Sequence, residues 1–148
     1  MNVRNAVMRL LQRIPAPQLR FSIRIGPLGF PNRMNRKWAY FEESEVSDLD
    51  VELVAKLDMA RSKAGVPFVI TSGRRTPEQN ERVLGVDASA HITGKAVDLR
   101  CHDSSVRYKM VKALLDAGFN RVGIYDKHLH VDIDDSKDQN VIWIGVSH

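Results

Sequence analysis

Ser89-Ala90-His91-Ile92-Thr93-Gly94-Lys95-Ala96-Val97-Asp98-Leu99-Arg100 changes character halfway along. The first half is small, polar and broken by a glycine. The second, Lys95–Arg100, alternates as a β-strand does. His91 and Asp98 therefore fall on a loop and on the strand that follows it. Further along, His128-Leu129-His130-Val131-Asp132 sets two histidines either side of a leucine. A period of two puts both imidazoles, and Asp132 with them, on one face. Two imidazoles side by side are costly to bury unless something uses them. A carboxylate with three imidazoles can furnish a zinc site of three protein ligands and one open position. On composition alone, each histidine can equally be a solvated or hydrogen-bonded residue.

Working outward, Leu49, Leu53, Leu57, Ala60 and Ala64 recur at helical spacing, which predicts a helix over 49–64 with Gly65 as its left-handed cap. Val66 to Thr71 is a compact apolar and β-branched run, read as a buried strand. Thr76-Pro77-Glu78-Gln79 opens a second helix: threonine caps it, proline suits the first helical position, and Gln79 completes a capping box. That helix should end near Gly85. Ser104 or Ser105 caps a third, with Val106, Met110, Leu114 and Ala117 on its buried face and Gly118 closing it. Arg121–Tyr125 and Leu129–Ile133 read as strands joined by a tight turn at Asp126-Lys127, and Val141–Val146 as a last strand. Without the regular alternation of a parallel sheet, this mixture predicts an α+β fold, a small antiparallel sheet flanked by helices.

With 148 residues, 43% of them hydrophobic, the chain holds one domain with a real core. It contains no apolar run near the ~20 residues of a membrane span, so it does not read as an integral membrane protein. The lone Cys101 reads as a small buried hydrophobe, and a thiol nucleophile only by default. H-E-x-x-H, C-x-x-C and G-x-S-x-G motifs are missing, as is a phosphate-cradling glycine loop.

The net charge of +4 hides an asymmetry. Arg4, Arg9, Arg13, Arg20, Arg24, Arg33, Arg36 and Lys37 precede the first acid, Glu42; the fourteen basic residues beyond them face eighteen acidic ones, a net of −4. A basic arm is joined to a mildly acidic body. Within the arm, Val3, Ala6, Val7, Leu10 and Ile14 have helical spacing, Pro15 and Pro17 end it, and Phe21, Ile23 and Ile25 alternate like a short strand. The arm reads as a helix docked on the body or a tail. The sharper reading is an amphipathic basic segment meeting an anionic envelope surface or a partner protein. Nucleic acid is the weakest candidate, because no recognisable module accompanies the arginines. A secretory signal is not evident, since Arg9 and Arg13 interrupt the apolar stretch.

Ser89-x-His91-x-x-Gly94-x-x-x-Asp98 is preceded by Thr71-Ser72-Gly73-Arg74-Arg75-Thr76-Pro77-Glu78-Gln79-Asn80 and followed by His128-Leu129-His130-Val131-Asp132. In that order the motifs resemble the zinc D-Ala-D-Ala carboxypeptidases of peptidase family M15. This family includes phage endolysin peptidases that cut L-Ala–D-Glu bonds, and it shares a fold with the hedgehog signalling domain. The resemblance covers roughly residues 38–146. It divides the chain into a basic arm, 1–37, and a zinc peptidase domain, 38–148, of hedgehog/DD-peptidase-like fold.

Carried onto these positions, the resemblance implies Zn²⁺ bound by His91, Asp98 and His130. It implies a zinc-bound water attacking an amide carbonyl of the peptidoglycan stem peptide, with Arg75 stabilising the oxyanion. Ser89 matches a residue that binds substrate or orients His91, and Asp132 is placed to orient a zinc histidine. Many members carry glutamate three residues before the last histidine ligand, where this chain has Lys127, which cannot accept a proton while charged. The proton-handling role falls to His128, with Asp126 the second candidate. Arg74 reads as a surface group, and His102 and His148 as non-catalytic. Endolysin-like and D,D-carboxypeptidase-like cleavage are both implied. The alternative is a zinc-retaining, non-catalytic binding or structural module, for example a virion component. The expected setting is synthesis in the cytoplasm and action at the bacterial cell wall, in phage lysis or in a virion.

Overall fold

The structure, a computed structural model, describes residues 37–146. The helix expected over 3–14, the strand at Phe21–Ile25, the rest of the basic arm up to residue 36, and His148 lie outside the described residues.

A single turn, α1 (Glu43–Val46), leads into α2 (Val51–Ala64). Asp50 starts α2 by accepting the Glu52 N–H at 2.8 Å, so Leu49 lies outside it. Gly65, at a φ of 63°, ends it, its N–H donating to the Arg61 carbonyl. Leu53, Val54, Leu57 and Ala60 form the buried face.

The strand expected over 66–71 shrinks to β1 (Ile70–Ser72). Pro67 has no N–H to donate, and the register against the next strand shifts between Ile70 and Ser72. The capping box at Thr76 and Gln79 forms as read, and α3 (Pro77–Arg82) follows it. This helix stops short of Gly85 because Leu84 takes a left-handed backbone, with a φ of 54°.

Next comes β2 (Ala96–Arg100), then α4 (Ser104–Asp116). The cap of α4 is Asp103 and not either serine: its carboxylate accepts both the Ser105 and Val106 N–H groups, at 2.8 and 2.9 Å. An anion here also suits the helix dipole. The chain ends in β3 (Arg121–Ile124), β4 (His128–Asp132) and β5 (Val141–Ile144).

The strands form one sheet in the order β1-β2-β4-β3-β5. Three pairs are antiparallel; β5 departs from the antiparallel reading and runs parallel to β3. Period-two alternation gives the sheet two different faces. Val97, Leu99, Val122, Leu129 and Val131 join Leu53, Leu57, Met110 and Leu114 in the core with the helices. Each fully buried aliphatic side chain contributes about 1.5–3 kcal/mol before chain entropy is counted. Asp98, His128, His130 and Asp132 alternate with those residues and occupy the other face. No described helix is long and apolar enough to cross a membrane.

Gly94 joins the histidine loop to β2. Its φ is 73°, its carbonyl accepts the Asp50 N–H at 2.9 Å, and an added Cβ would lie 2.8 Å from the Asp48 carbonyl oxygen. Gly65 shares the left-handed backbone but has open space where its Cβ would go. Gly65→Ala should cost about 1 kcal/mol of strain alone, and Gly94→Ala about 2–3 kcal/mol, strain and collision together. Urea unfolding of the two variants checks this; equal losses would mean that the contact with Asp48 is unimportant.

Candidate metal centre

Antiparallel register sets Asp98 on β2 directly against His130 on β4, and Gly123 on β3 against the other side of His130. The row continues outward to Ser72 on one edge and Trp143 on the other. His91 reaches this row from the loop before β2, a loop shaped by hydrogen bonds from the Gly94 N–H to the His91 carbonyl and from the Lys95 N–H to the Ala90 carbonyl.

Three donor atoms converge. His91 Nε2 is 3.2 Å from His130 Nδ1 and 3.3 Å from Asp98 Oδ1, and His130 Nδ1 is 3.0 Å from the same oxygen. The outer partners assign the tautomers. His91 Nδ1 lies 2.7 Å from the Gly73 carbonyl, which can only accept, so Nδ1 carries the proton. His130 Nε2 lies 3.1 Å from an oxygen of Asp132, so Nε2 carries the proton there. In the neutral rings, His91 Nε2 and His130 Nδ1 then both turn lone pairs toward a carboxylate oxygen. Three lone pairs so placed repel unless a cation sits among them.

Electrostatics at the site agree. Burial opposes charge on Asp98, yet its contacts with His130 and His91 hold its carboxyl well below the usual range. Burial also disfavours a charged His130, but Asp132 and Asp98 outweigh it and raise its pKa. The site attracts positive charge. Tetrahedral zinc with bonds of ~2.0–2.1 Å would hold its ligand atoms about 3.3 Å apart, close to the triangle seen here. The three residues form a group able to hold a metal ion.

The upstream motif supports this group. Arg75 donates from Nη2 to the outer oxygen of Asp98 at 2.7 Å and from Nε to Ser72 Oγ at 2.8 Å. Its own N–H donates to the His91 carbonyl. Two of its five guanidinium N–H groups are thus committed to holding the site. Ser89 Oγ accepts the His91 N–H at 3.4 Å, which places the serine beside the histidine loop.

A cavity of about 740 Å³ opens over the group, lined by Arg75, Ser89, His91, Asp98, His128, His130 and Asp132, with Val83, Leu84 and Val86 forming an apolar wall. His128 is half-buried, its ring stacked on Tyr125 with centroids 4.3 Å apart and planes 12° apart. Burial lowers its pKa, with His130 and Arg75 adding to that effect and Asp98 and Asp126 opposing it. Asp126 is exposed at the turn, its backbone carbonyl accepting from Arg107, and it does not line the cavity. Arg74 and His102 are exposed. Cys101 is buried, and burial raises its pKa, as suits a packed thiol.

Sequence reasoning missed the Gly73 carbonyl, Tyr125, Arg121 and Trp143. One signal was available: an isolated glycine in a strand marks a close approach. A Cβ on Gly123 would lie 2.7 Å from the Trp143 ring, and one on Gly145, just past β5, would collide with the Tyr125 ring.

Compared with protein families, residues 30–134 match the model described as Peptidase M15. No curated protein matches the chain.

Protein stripped by a chelator should take up one equivalent of a divalent transition metal and unfold at higher temperature. A hundredfold excess over Kd adds about 2.7 kcal/mol of stability. Asp98→Ala removes one donor of three and should abolish saturable uptake in equilibrium dialysis; uptake at the wild-type level would detach the triangle from metal binding.

Proposed function

We propose that this chain, which belongs to the peptidase M15 family, is a zinc metallopeptidase that hydrolyses an amide bond in the stem peptide of bacterial peptidoglycan. The observation that carries the reading is the convergence of three lone pairs at 3.0–3.3 Å on the wall of a cavity that also holds His128 and Arg75. Structural zinc sites usually close with four protein ligands, whereas three leave a position for substrate or water. Zinc held there would supply Lewis acidity, polarising the carbonyl and bringing the pKa of a water near 7.

The protein's own groups do the rest. Gly73 and Asp132 fix the tautomers of the two histidine ligands, so that both turn a nitrogen lone pair inward. Arg75 holds the outer oxygen of Asp98, and its uncommitted N–H groups can stabilise negative charge developing on the substrate oxygen. His128, with a lowered pKa, is neutral near pH 7 and can take up a proton and return it to the leaving amine. The apolar wall at Val83, Leu84 and Val86 suits small aliphatic side chains, and the resemblance of the motifs supplies the peptidoglycan assignment. Action at the cell wall, in an endolysin-like or D,D-carboxypeptidase-like role and in a phage or virion setting, belongs to the same proposal. So does the division into an arm, 1–37, and a peptidase domain, 38–148, with the arm meeting an anionic envelope or a partner.

A second reading, a zinc-retaining module without turnover, draws on Lys127. It stands exposed in the turn at the position where the resemblance expects glutamate.

Purified muropeptides incubated with the zinc-loaded protein should be cut, and chelation should stop the cleavage. Mass spectrometry of the products separates loss of a terminal D-Ala from L-Ala–D-Glu scission. His128→Ala should lower kcat by about 10²–10⁴-fold while zinc still binds. Cleavage that is absent from the wild type favours the second reading, and full activity in His128→Ala removes that residue as the base. Deleting residues 1–29, ahead of the family match, should spare soluble muropeptides and slow the digestion of whole walls.

A further inference from the structure

Arg121 is a buried cation that the reaction as proposed does not use. It opens β3 on the site face, one step beyond the Val122–Val131 pair and so across from Asp132. Its Nε donates to Asp132 Oδ1 at 2.8 Å, Nη1 donates to the Asp138 carbonyl, and the guanidinium lies 5.4 Å from the centre of the Trp143 ring. Asp132 is 1% exposed. Its Oδ1 also accepts the Asp134 N–H at 3.0 Å, which leaves Oδ2 for His130 Nε2 at 3.1 Å.

We infer that Arg121 is a positioning residue for the metal: it fixes the orientation of the Asp132 carboxylate, and through Asp132 it holds His130 with Nδ1 turned to the metal. The inference rests on reading His91, Asp98 and His130 as metal ligands. With Oδ1 held by both the Arg121 Nε and the Asp134 N–H, the carboxylate plane is fixed and Oδ2 faces His130. Were Asp132 rotated, the proton on His130 Nε2 would lose its acceptor, and Nδ1 would lose the tautomer that makes it a ligand. The planar guanidinium suits the task because one edge meets the carboxylate while a face lies against Trp143, which itself sits 5.7 Å from His130. Arg121 thereby ties the 134–140 loop and β5 to the ligand strand.

The test is zinc affinity, measured by competition with a chromophoric chelator on the full chain. Arg121→Met should weaken zinc binding by about tenfold or more, and Arg121→Lys, which restores a cation beside Asp132, should recover part of that loss. A double-mutant cycle separates action through Asp132 from a general structural role: in an Asp132→Asn background, Arg121→Met should change affinity less than about twofold. The absorption of bound cobalt should shift in Arg121→Met and Asp132→Asn alike. Should Arg121→Met not fold, Arg121→Lys and the double variant, which buries no unpaired charge, carry the same comparison. Wild-type affinity in Arg121→Met, or a loss undiminished by Asp132→Asn, overturns the inference. A wild-type protein that binds no zinc overturns both this inference and the metal centre beneath it.

Discussion

One cross-strand register, Asp98 against His130, governs the rest of the structure. Directly opposed residues on antiparallel strands hold their Cβ atoms about 4.5–5.5 Å apart, which lets an aspartate and an imidazole meet with little adjustment of either side chain. A slip of one residue would turn Asp98 into the helical layer and bring a core side chain onto the site face. The apolar core therefore enforces the geometry of the polar site. Val97 against Val131 and Leu99 against Leu129, all buried, lock the register that makes Asp98 meet His130.

The same register organises the surroundings of the candidate metal centre. Reading along β4, His128, His130 and Asp132 each have a neighbour on β3 or just beyond its end: Tyr125, the residue after β3, stacks on His128, Gly123 makes room beside His130, and Arg121 pairs with Asp132. Trp143 on β5 lies over Gly123, and Gly145 leaves space for Tyr125. His128 and Asp132 are thus oriented by side chains from across the sheet, and the glycines at 123 and 145 leave room for Trp143 and Tyr125. The row of polar groups on β4 would be poorly held without β3 and β5 beside it.

Much of this could be read from the sequence, and the reasons are local. His128, His130 and Asp132 share a face because a strand has a period of two, and Gly65 and the Thr76–Gln79 box act within a turn or two of chain. Where local rules compete, the reading slipped: the carboxylate of Asp103 outdid the hydroxyls of Ser104 and Ser105, and the strand expected over 66–71 begins only at Ile70, beyond Pro67. Long-range pairings were invisible. Nothing near Arg121 announces Asp132, eleven residues away, and a parallel β5 follows from a sheet order that no short window contains. The Gly73 carbonyl escaped for a different reason, since a backbone acceptor has no side chain to betray it.

Lysine at position 127 bears on the proposed reaction through this same periodicity. Along β4 the site face takes positions 128, 130 and 132, so position 127 has the parity of the core face and lies in the turn before the strand. Its backbone carbonyl accepts the Cys101 N–H at 2.8 Å, tying the turn to the end of β2. A side chain there is exposed, and a lysine costs the fold nothing. The proposed base comes instead from the first residue of the strand, where Tyr125 holds the ring flat and burial lowers its pKa. A base carried by the ligand strand keeps its spacing to His130 whatever the turn does. For the proposed proton carrier, a stacked imidazole on the strand meets the geometric requirement that a side chain in the turn at 127 would have to meet from outside it.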